Sequence, residues 1–568
     1  MMQILRPVSL ALLGVVALFA VAACSSDDPT ATPTTAAAPA APAATAPTAT
    51  ATPMPTATPS PKYGGTLAYW IRSDPPGWDP WGRTRFWDPT RKIAEMVFNP
   101  LYSPEPQVGE SCELVLEPEI AESWEFTSPT VLEFKLREGV KWHNKPPLNG
   151  RLLTAADVVY TLNERYGQGL AGQAYVGQVF FDSAEAVDAS TVRVNLKQPF
   201  EGFISGFPSG NRQGWIVAPE ASAEESLADP AASWVGTGPF MFSEFQTGVK
   251  VSFDRNPDYF KDGLPYADKL IAHIIPDAAT RLAALRSGQI NVFPAAGPQA
   301  LQEISRTNSD FFTKSCPSLF HMAIRLRLDK APWDDVRVRR ALSMSLDRDA
   351  IVSAALRGDG QTVLQAWPLD PEALKLSEFP EEVQEYMQYN PDRAKALLAE
   401  AGFPDGFSTS IVWTAQYGSP WQEVAETILT MMRAVGIDAE FNMQEYGPFL
   451  GLGRTQSFDD VYFGWTNSFD LNDLASSAYW SGMQPPNTLS LAPDAHLDDI
   501  VARLWASNAS NREAIAKELQ IYVADQSFRV TSPVWGNGIM ARPEVKNVGW
   551  RGTNKMYHQI FENAWIDE

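Results

Sequence analysis

Residues 118–161 read PEIAESWEFTSPTVLEFKLREGVKWHNKPPLNGRLLTAADVVYT, and two different periodicities follow one another within them. Val131-Leu132-Glu133-Phe134-Lys135-Leu136 approaches a period of two, the pattern of a strand with one face in a core. Lys141-Trp142-His143 has the look of a strand end, and its histidine reads as locally satisfied rather than as a ligand. Thr154-Ala155-Ala156-Asp157 then starts a helix. Thr154 is the expected cap, Asp157 stands in for the glutamate of a capping box, and Val158, Val159 and Leu162 form the buried face.

The same alternation continues outward. Phe240–Phe245 and Lys250–Asp254 read as a hairpin turning at Thr247-Gly248. Asn390-Pro391 opens a helix with a cap and a first-turn proline, and Ala394, Leu397, Leu398 and Ala401 recur at i, i+3, i+4 and i+7. Gly402 closes it. Gly436 ends a helix running from Gln422 in the same way, and Ile437–Phe441 resumes a strand. The chain is therefore expected to be α/β or α+β, without internal repeats.

Ahead of these elements the chain is of another kind. Arg6 gives a basic start, Val8–Ala23 is an apolar run shorter than the ~20 residues of a membrane-spanning helix, and the run ends at Val21-Ala22-Ala23-Cys24. Small residues before a cysteine suit cleavage by a lipoprotein signal peptidase, with lipid on Cys24. Ordinary secretion is the competing reading, because Ala20-Val21-Ala22 also fits an A-x-A site. Residues 1–23 are expected to be a signal peptide and 24–61 a tether, where Pro29–Pro61 is almost wholly Pro, Thr and Ala. Such a segment has no apolar face to bury and leans towards polyproline conformations. At about 3.1 Å per residue it spans on the order of 100 Å.

The remaining 500 or so of the 568 residues exceed what one core usually holds. A net charge of −22, or −23 once Arg6 is lost, keeps the surface soluble and argues against nucleic acid or anionic membrane as partners. Cys112 and Cys316, the two cysteines besides Cys24, make no disulfide framework, and we expect two free thiols in different lobes.

Several chemistries have no motif here. His143, His273, His321, His496 and His558 are isolated, and neither a C-x-x-C nor a D-x-D-x-D loop occurs, so no metal cofactor is expected. Gly236-Thr237-Gly238 is followed at once by Pro239 and reads as a tight turn, not a phosphate cradle. No G-x-S-x-G elbow appears. Asp334-Asp335, Asp459-Asp460 and Asp498-Asp499 each precede an apolar stretch and suit helix N-termini. The Arg337–Arg340 cluster reads as a solvated helix face. An enzyme is not expected, although a hydrolase built from two distant carboxylates leaves no local signature.

Residues 118–161 resemble the signature region of family 5 solute-binding proteins, the peptide- and nickel-type extracytoplasmic receptors of ABC importers. Gly236–Phe260 (GTGPFMFSEFQTGVKVSFDRNPDYF), Asp277–Ile290, Ala331–Val352 (APWDDVRVRRALSMSLDRDAIV), Asn390–Phe407 (NPDRAKALLAEAGFPDGF), the Gly436-Ile437 turn and Phe463-Gly464-Trp465-Thr466 follow in the family's order. The resemblance implies a two-lobed fold of the periplasmic-binding-protein type II kind, with an extra subdomain in lobe I. Carried over, lobe I takes residues 62–270 and 525–568, with the extra subdomain at about 98–198, and lobe II takes 271–524. Crossings are expected in Leu270–Pro276 and near Asp525–Val534. Ligand bridges both lobes only when they close, and the closed form docks on ABC permease subunits, the ATPase being a separate chain. No cofactor is implied. A monomer held to the membrane only by its lipid is implied.

For the ligand site the resemblance points to the loop after Gly464-Trp465, where peptide-binding members place an aspartate on the peptide's amine. The matching position here is Asn467 or Ser468, and neither is acidic. A charge-assisted hydrogen bond contributes about 1.5–3 kcal/mol, so its loss would weaken amine capture by roughly ten- to a hundredfold. Asp470 lies two residues on. Aromatic residues crowd the regions that face the cleft in the family: Trp78, Trp81, Phe86, Trp87, Trp367, Trp413, Tyr417 and Trp465. Flat rings suit sugars and apolar peptide side chains, yet tryptophan also fills cores. Transport of peptides or comparable solutes, binding of oligosaccharides on the same fold, a secreted hydrolase, and a sensor presenting ligand to a membrane kinase remain as alternatives.

Overall fold

Thr66–Ile71 pairs in parallel with Lys269–Ile274, so two strands some two hundred residues apart lie side by side. The computed structural model describes residues 60–567 except 80–87, 107–113, 165–178, 207–213, 223–228, 318–319, 363–371, 468–474, 483–486, 550–556 and the single positions 76, 201, 359 and 509. The leader, Cys24 and the tether lie outside the described residues.

Thr66–Ile71 and Lys269–Ile274 belong to a sheet completed by Lys250–Arg255 and the edge strand Phe240–Gln246. The last two form the expected hairpin, turning at Gly248, whose φ is +72°. A second sheet orders Val292–Ala296, Val534–Ala541 and Phe312–Pro317. The two sheets share a core, since Leu67, Tyr69, Phe240 and Phe253 pack with Val292, Cys316, Ile539 and Phe561. We call them the terminal sheets.

Between their strands lies an inserted antiparallel sheet ordered Ala121–Ser128, Val131–Leu136, Thr191–Leu196, Phe181–Ala186. Val131–Leu136 alternates half-buried and buried residues, as its period of two predicts. The helix Ala155–Leu162 covers this sheet with Val158 and Leu162. Its first turn is fixed by Asp157, whose Oδ2 accepts the Thr154 N–H at 2.9 Å. Arg151 grips the same carboxylate with both guanidinium nitrogens, at 2.7 and 2.9 Å.

The central sheet is ordered Ile437–Met443, Phe407–Trp413, Val461–Asn467, Phe320–Leu326, Arg529–Thr531. The first three strands run parallel and the rest antiparallel. Met322, Ile324, Ile411 and Phe463 meet the helices Val336–Ser345, Pro391–Glu400 and Ser419–Ala434 on one face. On the other, Val412 and Tyr462 meet Phe449 of Tyr446–Thr455. The Asn390 cap accepts from the Arg393 N–H at 3.0 Å, and Gly402 and Gly436 take φ of +98° and +99°. The helix expected from Gln422 begins three residues earlier, at Ser419-Pro420.

Four sequence readings change. Asp459-Asp460 precedes the strand Val461–Asn467, not a helix, and Asp460 accepts from the Ser410 N–H at 3.0 Å. Asp498-Asp499 lies inside the helix Ala495–Trp505, whose cap is Asp494. Cys316 is disulfide-bonded, not a free thiol. It sits on Phe312–Pro317, whose partner is Val534–Ala541 of the terminal sheets, so it packs with the group expected to be lobe I. Residues 271–317 as a whole, assigned to lobe II from the sequence, pair and pack with the terminal sheets. The chain enters the central sheet only past Pro317 and leaves it after Thr531.

Candidate functional site

Parallel strands leave their carboxyl ends as the edge where ligands of open α/β sheets bind. In the central sheet that edge holds the ends of Phe407–Trp413 and Val461–Asn467. Asn467 pairs with Phe320 and Trp465 with Met322, so the end of Val461–Asn467 lies beside the point where the chain enters from the terminal sheets. Trp465 and Asn467 are thus brought to the junction between the two groups of strands by backbone register. Ser468 and Asp470, the next residues of that loop, lie outside the described residues, as do Trp367, Trp81, Phe86 and Trp87.

Trp413 is brought to the same edge but turned inward. It is fully buried, its Nε1 donates to Gln422 Oε1 at 2.7 Å, and its ring stacks on Phe463 and Phe441 at 5.2 and 6.1 Å. Its size fills the space between sheet and helix, which corrects the expectation of a ring face open to ligand. Tyr417 follows it, half-buried, against Trp413, Tyr446 and Phe449. Trp78 is half-buried among Trp234, Phe242 and Phe245 of the terminal group, its carbonyl accepting from Trp234 Nε1 at 2.6 Å.

The glycine pair Gly236 and Gly238 is a packing device. A Cβ on Gly236 would stand 1.9 Å from the Val97 carbonyl oxygen, and one on Gly238 2.5 Å from that of Met96. The backbone therefore lies against the end of the helix Asp88–Val97. His143 locks this turn. The Gly236 N–H donates to Nδ1 at 3.3 Å, which leaves Nε2 to carry the proton donated to the Gly238 carbonyl at 3.0 Å. Burial, offset in part by the Gly238 hydrogen bond, lowers the His143 pKa to about 4. The ring is neutral at pH 7, in keeping with the local reading.

Sequence reasoning missed two constellations. Glu119 and Glu562, both buried, accept from Lys261 Nζ at 2.9 and 3.0 Å, and Tyr259 donates to Glu562 at 2.8 Å. This network ties the inserted segment, the terminal sheets and the last helix together, through residues too distant in sequence to signal one another. The second is the arginine cluster. Arg337 is half-buried against Asp335, but Arg339 is buried and donates to the Trp333, Asp334 and Gln526 carbonyls. The solvated-face reading therefore fails at Arg339.

Deeper in the central sheet, Arg325 and Arg529 are direct cross-strand partners, and the Tyr462 and Tyr479 rings lie 5.1 and 5.8 Å from their guanidinium carbons. Burial lowers both pKa values, that of Arg529 to about 10. Among the described residues no group of three or more His, Cys, Asp or Glu side chains converges on a point, and no helix is long and apolar enough to cross a membrane. Arg325 lies opposite Tyr462, five residues along its strand from the Asn467 end, so the two arginines belong to the interior of the sheet.

Comparison with known proteins gives this geometry a context. The family described as bacterial extracellular solute-binding proteins, family 5 middle, matches residues 115–487. The dipeptide-binding protein of Escherichia coli (strain K12) is 27% identical over 533 residues, 88% of this chain and 95% of its own length. The binding protein AgaA of A.tumefacien R10, solved with agropinic acid, aligns with a TM-score of 0.73 at 22% identity, over 89% of this chain and 99% of its own. The oligopeptide-binding protein AppA of Bacillus subtilis, solved with a nonapeptide, gives 0.71 at 21%, over 90% and 100%. At such identities the structural likeness is one of fold.

Proposed function

We propose that this chain, which belongs to the family 5 bacterial extracellular solute-binding proteins, is the receptor of an ABC importer that encloses a peptide or comparable small solute and hands it to a membrane permease. The observation that carries the reading is the family match, which runs through both the inserted sheet and most of the central sheet. A relative that binds dipeptides, matched over 95% of its length, supports peptides as the ligand class.

In this reading the terminal sheets with the inserted sheet form one lobe and the central sheet with its helices the other. The crossings lie at 317–320 and beyond Thr531. The guest sits at the carboxyl edge of Val461–Asn467, with Trp465, Asn467 and the following Ser468 and Asp470 around it and Trp78 on the opposite lobe. It leaves chemically unchanged. The protein works as a monomer outside the cell membrane, tethered through lipid on Cys24 and the Pro/Thr/Ala segment.

Thermal-shift screening against short peptides, with oligosaccharides alongside, tests this. A solute at a hundred times its dissociation constant stabilises the fold by about 2.7 kcal/mol. We expect at least one peptide to raise the melting temperature, and Trp465→Ala to lose that response while still folding. Turnover of the solute, or no response to any of them, would contradict the proposal.

A further inference from the structure

The crossing that returns from the central to the terminal sheets is held along one side by three arginines. The helix Arg512–Gln526 ends there, and its last carbonyls have no partner within the helix and carry the negative end of its dipole. Arg340 Nε donates to the Asp525 carbonyl and Arg339 Nε to that of Gln526, each at 2.9 Å. The Arg340 guanidinium also meets the Asp525 carboxylate and lies 4.1 Å from the Tyr386 ring centre. Arg348 Nε reaches the Thr531 carbonyl at 3.3 Å, while its Nη1 is fixed by the Ser343 and Met387 carbonyls. All three arginines belong to the consecutive helices Val336–Ser345 and Arg348–Ala354 of the central group.

The hold continues past Thr531. Ser532 donates from both its N–H and its hydroxyl to the Met322 carbonyl at 3.0 Å. Val534 and Trp535 pair with Gln361 and Gly360, which follow the same two helices in the chain. At Gly536 the partner changes, because Gly536 pairs with Pro317 and Asn537 with Cys316 of the terminal group. The switch between the two groups is thus completed across one peptide, and one of its residues is a glycine, whose backbone adapts at least steric cost.

We propose that Arg339, Arg340 and Arg348 make Asp525–Trp535 a rigid extension of the central group, so that movement about the return crossing is confined to Trp535–Gly536. The inference deepens the hinged-receptor reading and rests on it. Hinges are a few residues that absorb the backbone change, and a crossing already ordered on one side leaves less chain to immobilise when ligand closes the lobes. Slackening the clamp weakens binding without touching the ligand.

Hydrogen exchange on the ligand-free full chain, in the wild type and in Arg340→Gln, tests this. Arg348 is too buried for its variant to be sure of folding, whereas the Arg340 side chain is 17% exposed. We expect residues 525–532 in the wild type to exchange about as slowly as 537–541, which lie in the middle strand of a terminal sheet, with faster exchange confined to Trp535–Gly536. In Arg340→Gln, exchange over 525–531 should rise about tenfold or more, the loss of a charge-assisted hydrogen bond, with 536–538 unchanged. Affinity for the solute found in the screen should fall several-fold. Fast exchange throughout 525–532 in the wild type, or an Arg340→Gln pattern identical to the wild type, would overturn the clamp. Exchange is read without solute, so a protein that binds nothing in the screen defeats the receptor reading while the exchange pattern still judges the clamp.

Discussion

At His143 a single ring joins the inserted segment to the terminal sheets, and its protonation state decides whether that joint holds. Folded, the ring accepts from Gly236 and donates to Gly238, and its pKa is lowered to about 4. In the unfolded chain the value is about 6.5. Above pH 6.5 the ring is neutral in both states. Between 6.5 and 4 the unfolded chain takes up a proton that the folded chain does not, so stability falls as pH falls, by about 3 kcal/mol once both are protonated. We expect the melting temperature of His143→Asn to depend less steeply on pH across that window than the wild type; parallel slopes would refute it. His143 was legible in sequence because a lone histidine beside a strand end has backbone within reach. Trp413 was not, since a tryptophan at a strand end suits a ligand face and a core equally until its neighbours are known. Arg339 was misread because its acceptor, the Gln526 carbonyl, lies 187 residues away.

At the scale of elements, Ala155–Leu162 stands on one carboxylate. Asp157 accepts the Thr154 N–H and binds Arg151 through two nitrogens, and Arg151 also reaches Glu220 at 2.8 Å. Asp157→Ala removes the reciprocal half of the capping box, which costs about 1 kcal/mol, and leaves Arg151 with Glu220. Urea unfolding should show a lower midpoint with an unchanged slope; an unmoved midpoint would contradict the role. Caps, helix-ending glycines and alternating strands were readable because their causes lie within a few residues. Asp459-Asp460 escaped because adjacent acids mark a helix start and a strand entry alike. Register and sheet order were not readable, as the pairing of Thr66–Ile71 with Lys269–Ile274 depends on everything between them.

For the whole molecule, contacts reach across the groups of sheets as well as along them. Phe180 and Phe200 beside the inserted sheet stack on each other, and both pack edge-on against Trp505 of the central group, at 4.7 and 6.0 Å. Each such aromatic pair is worth about 0.5–1.5 kcal/mol, enough to bias how the groups sit without fixing them. A mixed fold of helices and strands like that of the family 5 binding proteins was foreseen through family resemblance. The placement of Val292–Ala296 and Phe312–Pro317 with the terminal sheets was not, because both pair with Val534–Ala541, more than two hundred residues later. The most direct measurement is small-angle X-ray scattering of the full chain with and without a solute confirmed by thermal shift. We expect the radius of gyration to fall and the profile to sharpen when solute is bound, as two hinged lobes shut on it. Superimposable profiles with the solute demonstrably bound would contradict that closure.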